Sequence, residues 1–263
     1  MTSIRVGWTP KFCLQKSLKK KREELLINLD QKVSPKIIRS FNKLIARRSL
    51  REPIAYILQE KEFWSKNFYV NQDTLIPRPE TELLVEKLLE IFNKKKISIL
   101  DIGTGSGCII LSLLSGLEQS TGVGVDISKK AILISKKNAL KHNLLNKVKF
   151  VNKSFEKVFH QKFDLIVSNP PYIDRKDINK LSDDIKRYEP RMALDGGNDG
   201  LDLIKKVIYK SRSILKTRGT LALEIGNEQI RKVSKLLIDN NFRVKYEIKD
   251  YKNNVRCVIA YLK

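Results

Sequence analysis

The sequence predicts an α/β protein: a mostly parallel sheet with helices on both faces and an antiparallel edge, behind a small N-terminal helical domain. Three observations predict it. From Ile97 onward, apolar runs of strand length alternate with longer stretches of helical period, the pattern of a parallel sheet covered on both faces. The first run ends in Asp101-Ile102-Gly103-Thr104-Gly105-Ser106-Gly107, a glycine turn that leads into the apolar helical stretch from Cys108 to Leu117. Residues 1 to about 60 show no strand alternation.

In that first region, Leu14, Leu18, Leu25, Leu26 and Leu29 keep a helical period, and Lys19-Lys20-Lys21-Arg22 reads as a solvated face. Ser34-Pro35 starts a second helix, with Ser as cap and Pro in the first turn. Its stripe Ile37, Ile38, Phe41, Leu44 and Ile45 is expected to be core. Residues 61–79 form a linker in which Glu62-Phe63-Trp64 and Phe68-Tyr69-Val70 read as a hairpin. Ile76-Pro77-Arg78-Pro79 cannot be helical, because each proline excludes its predecessor from that state. Glu80-Thr81-Glu82 then opens a helix to about Asn93, with acids where the helix dipole favours them, and Lys94-Lys95-Lys96 closes it.

The larger domain, 80–263, carries strands at 97–102, 122–126, 147–152 and 163–168, with helices at 106–117 and 128–143 between the first three. An irregular stretch covers 173–200 and is long enough to be a lid or substrate clamp. A helix at 201–216, a strand at 219–225, a helix at 227–240 and strands near 242–248 and 254–262 complete the chain.

Composition narrows the function classes. The 263 residues allow one large domain or two smaller ones. No apolar stretch approaches the roughly 20 residues of a membrane span, and the N-terminus lacks the apolar core of a signal peptide. Cys13, Cys108 and Cys257 are odd in number and far apart, which argues against zinc or redox spacing and for a reduced, cytoplasmic location. His142 and His160 have no metal partner nearby and read as solvated, so no metal site is expected. The net charge of +23 points to an acidic partner such as nucleic acid or a particle that carries it, or reflects only a lysine-rich solvated surface.

The chemistry is written in two places. The glycines from 103 to 107 let backbone approach a ligand closely. The next strand ends at Asp126, 25 residues after Asp101, close to the spacing at which an acid meets ribose hydroxyls. Alone, Asp126 also suits a helix cap before Ser128. Further on, Phe163-Asp164-Leu165-Ile166-Val167-Ser168 is a buried strand, and Asn169, Pro170, Pro171 and Tyr172 sit at its C-terminal end, where open α/β sheets place ligands. The Asn side-chain carbonyl and the Pro170 backbone carbonyl can accept both hydrogens of a planar NH2 group. Pro171 stiffens that backbone, and Tyr172 offers a flat face. The target is then an amide or exocyclic amine whose nitrogen attacks an electrophile.

This combination resembles the class I S-adenosylmethionine-dependent methyltransferases that act on amino groups. Arg51-Glu52-Pro53-Ile54-Ala55-Tyr56-Ile57, Glu62-Phe63-Trp64, Leu75-Ile76-Pro77-Arg78-Pro79-Glu80-Thr81-Glu82, Ser168-Asn-Pro-Pro-Tyr-Ile173, Glu189-Pro190 and Leu223-Glu224-Ile225-Gly226 are similar to the release factor glutamine methyltransferase family. The resemblance covers about residues 47–260. It implies a Rossmann-like catalytic domain behind a helical substrate-docking domain over residues 1–60. It also implies S-adenosyl-L-methionine as cofactor, class 1 peptide chain release factors as partners, and methylation of the glutamine in their Gly-Gly-Gln motif. A sibling family methylates a ribosomal protein, and nucleic-acid amino methyltransferases use the same Asn-Pro-Pro-Tyr logic on flipped bases. The intact Arg78-Pro-Glu-Thr-Glu82 favours the release factor, with the basic surface a candidate for transient ribosome contact.

By the same resemblance, Gly103, Thr104, Gly105, Ser106 and Gly107 pass beneath the cofactor, Asp126 accepts from its ribose, and Asp101 orders the glycine turn or faces its amino group. Ser154 stands where the family often has Asp, so Phe155 or a backbone amide is left for the adenine. Asn169, Pro170 and Tyr172 are the expected catalytic residues, Asn169 also bordering the cofactor, and together with Pro171, Arg78 and Glu80 they line the substrate site. Arg78 and Glu80 suit an inter-domain salt link equally well.

Overall fold

A computed structural model describes residues 8–20, 24, 32–157 and 161–263. Leu25, Leu26, Leu29, Lys21, Arg22 and His160 lie outside the described residues. The N-terminal part contributes α1 (Trp8–Leu18), α2 (Pro35–Ser49) and α3 (Ile54–Leu58). Pro35 occupies the first turn of α2, as expected, but the Ser34 side chain makes no capping hydrogen bond; its backbone carbonyl accepts from Ile37 and Ile38 instead. The apolar stripe of α2 is not core: none of its residues is fully buried, and Ile38 is exposed. Amphipathic periodicity marks the face a helix can bury, while the depth of burial depends on what lies against it.

The hairpin is β1 (Lys61–Phe63) and β2 (Lys66–Phe68), two residues earlier in its second strand than expected. Trp64 and Ser65 form the turn, both with positive φ (50° and 54°), so Trp64 leaves the strand and Phe63 pairs with Lys66. Phe63 and Phe68 meet edge to face, 6.1 Å between ring centroids, and are fully buried against α4 (Pro79–Ile91). Glu80 and Glu82 stand in the first turn of α4.

The remaining strands are β3 (Ser98–Ile102), β4 (Thr121–Asp126), β5 (Val148–Asn152), β6 (Phe163–Ser168), β7 (Leu215–Glu224), β8 (Phe242–Lys249) and β9 (Val255–Leu262). They form one sheet in the order β5-β4-β3-β6-β7-β9-β8, parallel from β5 to β7 and antiparallel beyond. The last strand inserts between β7 and β8, so β8 forms the edge. One face is covered by α4, α5 (Cys108–Gly116) and α6 (Lys129–Lys141), the other by α8 (Asp202–Ile214) and α9 (Ile230–Asp239). Between β6 and α8 the chain runs irregularly, with one short helix, α7 (Asp183–Tyr188).

Strand register brings distant residues to one level. Val125 of β4, Ile102 of β3, Ser168 of β6 and Leu223 of β7 are Cα partners across four adjacent parallel strands. One residue further on, the sheet presents Asp126, Gly103, Asn169 and Glu224 in a row. Between β3 and β6 the strand order reverses direction, and ligands of open α/β sheets bind outside the carboxyl ends at such a point.

Ile166 is fully buried at the centre of β6 and packs in the core beneath α8 and α9. Ile166→Ala is expected to lower stability by about 2–5 kcal/mol through the lost burial and the cavity left behind. Denaturant melts should show a lower midpoint with an unchanged slope.

Candidate active site

Above that row lies a cavity of ≈ 300 Å³. Its floor is the glycine turn. Gly103 has φ +72°, a conformation that L side chains rarely adopt, and a Cβ there would meet nothing within 4 Å, so the turn leaves open space above it. Thr104, Gly105 and Ser106 line the cavity with it. On one side stands Asp126. Its Oδ2 accepts from the Gly105 N–H (3.0 Å) and its Oδ1 from the Ser128 N–H (2.8 Å), so the carboxylate ties β4 to the glycine turn. It does not cap α6; Ser128 does, its hydroxyl accepting from the Ala131 N–H. Burial holds the Asp126 carboxyl above the ordinary carboxylate range, while the backbone N–H donors oppose that shift. Beyond it are Ile127, 60% exposed, and Phe155, which give this end of the cavity an apolar wall, with Ser154 beside them.

Two expected members of the glycine-turn set stand apart from the cavity lining. Gly107 (φ +80°) sits at the start of α5, and a Cβ there would come within 3.2 Å of Leu111 and Ser135. It serves the close packing of α5 on α6. Asp101 is 1% exposed; its Oδ2 accepts from the Thr104 hydroxyl (2.7 Å). Of the two expected roles it has the first, ordering the turn from below. Burial pushes its carboxyl up to about 7, against the Thr104 hydrogen bond and the first-turn N–H of Ile110, which favour ionisation.

A second, smaller cavity of ≈ 140 Å³ adjoins the first, and Leu75, Arg78, Asn169 and Ala193 line both. Tyr172 lines only the smaller one, with Leu181, Ile185 and Leu194 from the irregular stretch. Pro170 and Pro171 line the larger. Asn169 therefore stands at the junction. Its Nδ2 donates to Thr81 Oγ1 (3.3 Å), Thr81 donates to Glu224 Oε2 (2.5 Å), and the Tyr172 hydroxyl donates to Glu224 Oε1 (3.2 Å). Burial raises the Glu224 carboxyl; burial and the adjacent Glu224 charge raise the Tyr172 phenol. The far end of the tetrapeptide is pinned too, because Gln229 Nε2 donates to the Tyr172 carbonyl (2.9 Å).

Arg78 both lines the cavities and makes an ion pair, with Glu189 of the irregular stretch (2.6 Å). Glu189 Oε2 also accepts from the Ile76 N–H (3.1 Å), so this buried acid clips the 173–200 stretch onto the segment before α4. Glu80 lines neither cavity; one helical step further, Thr81 faces inward instead. Thr81, Glu189 and Glu224 belong to the segments that carry the family resemblance, but the motifs assign them no place in the site. Glu224 had a signal of its own: a carboxylate directly after the apolar run Leu221-Ala222-Leu223, which burial makes costly unless it is hydrogen-bonded.

His142 is not solvated as expected. It caps α6 with its ring against Phe68, 4.9 Å between centroids, and burial lowers its pKa. Among the described residues, no group of His, Cys, Asp and Glu side chains could hold a metal ion.

The PrmC N-terminal domain family matches residues 10–58 and the methyltransferase small domain family matches residues 79–186. A release factor glutamine methyltransferase from Buchnera aphidicola subsp. Schizaphis graminum is 44% identical, over 94% of this chain and 89% of its own length. The chain belongs to the release factor glutamine methyltransferase family. A second member, from Rhodospirillum rubrum, is 39% identical over 90% of this chain and 73% of its own. A bifunctional methyltransferase from Rickettsia prowazekii is 38% identical over 96% of this chain, and the chain spans about half (52%) of that longer protein. In fold, a methyltransferase from Pyrococcus furiosus superimposes with a TM-score of 0.58 at 18% identity, over 84% of this chain and 98% of that one. The ribosomal protein L11 methylase of Lactobacillus delbrueckii subsp. bulgaricus does so with a TM-score of 0.53 at 19% identity, over 70% and 79%.

The raised Asp101 carboxyl sets a pH dependence. An unfolded Asp ionises near 3.8, whereas in the fold the proton is held until about 7. The resulting stabilisation is fully present below about 4 and is lost as pH rises to about 7, at most about 4 kcal/mol from roughly 1.4 kcal/mol per pKa unit. Asp101→Asn should flatten that part of the stability profile, so chemical denaturation at pH 5 and pH 7 should differ less in the variant than in the parent.

Proposed function

We propose that the chain transfers a methyl group from S-adenosyl-L-methionine to the side-chain amide nitrogen of the glutamine in the Gly-Gly-Gln motif of class 1 peptide chain release factors. The observation that carries this reading is Asn169, held by Thr81 at the junction of a large glycine-floored cavity and a smaller one. The larger cavity suits the cofactor. Gly103 and Gly105 give it room, Asp126 keeps lone pairs for ribose hydroxyls, and Ile127 and Phe155 provide apolar surface for a flat base. The smaller cavity suits a glutamine side chain, with Leu181, Ile185 and Leu194 for its methylenes and Tyr172 beside its amide.

S-adenosylmethionine supplies a sulfonium methyl group already activated for displacement. The protein's task is to position the weak amide nucleophile. Asn169 Oδ1 and the Pro170 carbonyl accept its two N–H groups, aim the nitrogen, and stabilise the positive charge that develops on it. The proton leaves to water after transfer, so no histidine base is needed. The helical region over residues 1–60 serves as the docking domain, 61–79 as the linker and 80–263 as the methyltransferase domain. No helix among the described residues is long and apolar enough to cross a membrane, and the cytoplasm, where release factors act, is the proposed location.

The decisive assay incubates the protein with labelled S-adenosylmethionine and, in separate reactions, a release factor, the same factor with its motif glutamine changed to alanine, ribosomal protein and total RNA. Label on the intact factor alone is expected; label on RNA or ribosomal protein overturns the substrate. Asn169→Ala should lower turnover by about 10²–10³-fold with cofactor affinity nearly intact. Equal loss of both would reject the clamp. Asp126→Ala should weaken cofactor binding by roughly 10-fold or more, read by calorimetry, through loss of charge-assisted hydrogen bonds.

A further inference from the structure

Behind Asn169 lie two buried polar residues, Thr81 and Glu224, 2% and 1% exposed. Counting donors and acceptors gives their hydrogen bonds a direction. An ionised carboxylate only accepts. Burial raises the Glu224 carboxyl, but each of its oxygens meets a hydroxyl donor, Thr81 on Oε2 and Tyr172 on Oε1, and these two donors and the charge of Arg256 oppose that rise in favour of the ionised form. The single Thr81 proton is thereby committed to Glu224, and only lone pairs remain on Thr81 Oγ1 for its 3.3 Å contact with the Asn169 carboxamide. A carboxamide facing a pure acceptor must present its NH2 group. Its oxygen is then free for the cavity junction.

The reverse orientation is penalised twice. Asn169 Oδ1 would face lone pairs, or Thr81 would turn its proton away and strand a buried carboxylate oxygen without a donor. The reversed carboxamide would also offer N–H groups to a substrate that itself brings N–H groups. We propose that Glu224, acting through Thr81, fixes the polarity of the Asn169 carboxamide so that its oxygen, and not its nitrogen, meets the substrate amide. Thr81 and Glu224 are positioning residues, and their role rests on the proposed function of Asn169 as an amide acceptor.

The origin of the relay explains why it spans the chain. Thr81 enters from the first turn of α4, Asn169 follows β6, and Glu224 ends β7. Since β6 and β7 are neighbours in register at Ser168 and Leu223, the residues after them stand side by side, and α4 supplies the bridging hydroxyl.

Steady-state kinetics with release factor, cofactor calorimetry and thermal melting on Thr81→Val, Thr81→Ser, Glu224→Gln and Asn169→Ala test the proposal. Thr81→Val should lower kcat by roughly 10²-fold, the scale of a misplaced reacting group, with the cofactor Kd within about threefold and a cooperative melt. Thr81→Ser, which keeps the hydroxyl, should recover most of kcat. Glu224→Gln can donate to Thr81 and free its proton, so it should also lower kcat more than it raises KM. In the Asn169→Ala background, Thr81→Val should cost nothing further, as expected of residues acting as a unit. If Asn169→Ala keeps the parent rate, the amide-acceptor reading falls and the relay with it. If Asn169→Ala is slow while Thr81→Val or Glu224→Gln turns over at the parent rate, only the relay is overturned. It is overturned too if Thr81→Ser is as slow as Thr81→Val, or if the losses multiply in the double variant.

Discussion

The structure depends on the common register of four parallel strands. Because β4, β3, β6 and β7 reach Val125, Ile102, Ser168 and Leu223 at the same level, a carboxylate, a glycine, a carboxamide and a second carboxylate stand in line at one edge of the sheet. Hydrogen bonds between parallel strands fix that level, and the buried aliphatic side chains on both faces keep it from slipping, since a shift of one residue would turn every side chain to the other face. The two cavities sit above that line.

The two carboxylates of the row are held in different ways. Asp126 receives two backbone N–H groups and keeps part of its surface at the larger cavity, so it can still accept from a ligand. Glu224 receives two hydroxyls and is buried, so its lone pairs orient other protein groups. The same residue chemistry therefore leaves a carboxylate open to the larger cavity at β4 and serves internal order at β7, and burial makes the difference. Glu189 is a third case: paired with Arg78 and the Ile76 N–H, it fastens the irregular 173–200 stretch over the site.

Membership of the release factor glutamine methyltransferase family gives the Asn-Pro-Pro-Tyr segment its context, and the geometry gives it a physical reading. In the proposed function two acceptors aim an amide nitrogen, and they do so only if their own orientation is fixed. A carboxamide is nearly symmetric in shape and wholly asymmetric in hydrogen bonding. Shape alone cannot orient it, and a directed chain of donors can.

Much of this was legible in the chain itself. Strand and helix alternation after Ile97, the glycine turn and the Asn-Pro-Pro-Tyr segment are local patterns, set by side-chain period and backbone freedom, and they identified the sheet, the helices and the ends of β3 and β6. Local pattern did not reveal that β9 inserts between β7 and β8, because pairing partners are chosen by the whole core. Nor did it show that Glu80 would stand outside the cavities and Thr81 beside Asn169, since the direction a helical residue faces depends on how the helix docks. Gly107 and Asp101 belong to the motif by sequence and to the scaffold by position, because a glycine or a buried acid has the same letter whether it makes room for a ligand or for a neighbouring helix. The sequence by itself determined which residues end β3, β4, β5 and β6. The tertiary structure alone decided which of those ends meet, because hydrogen-bond register and core packing act between segments that lie far apart in the chain.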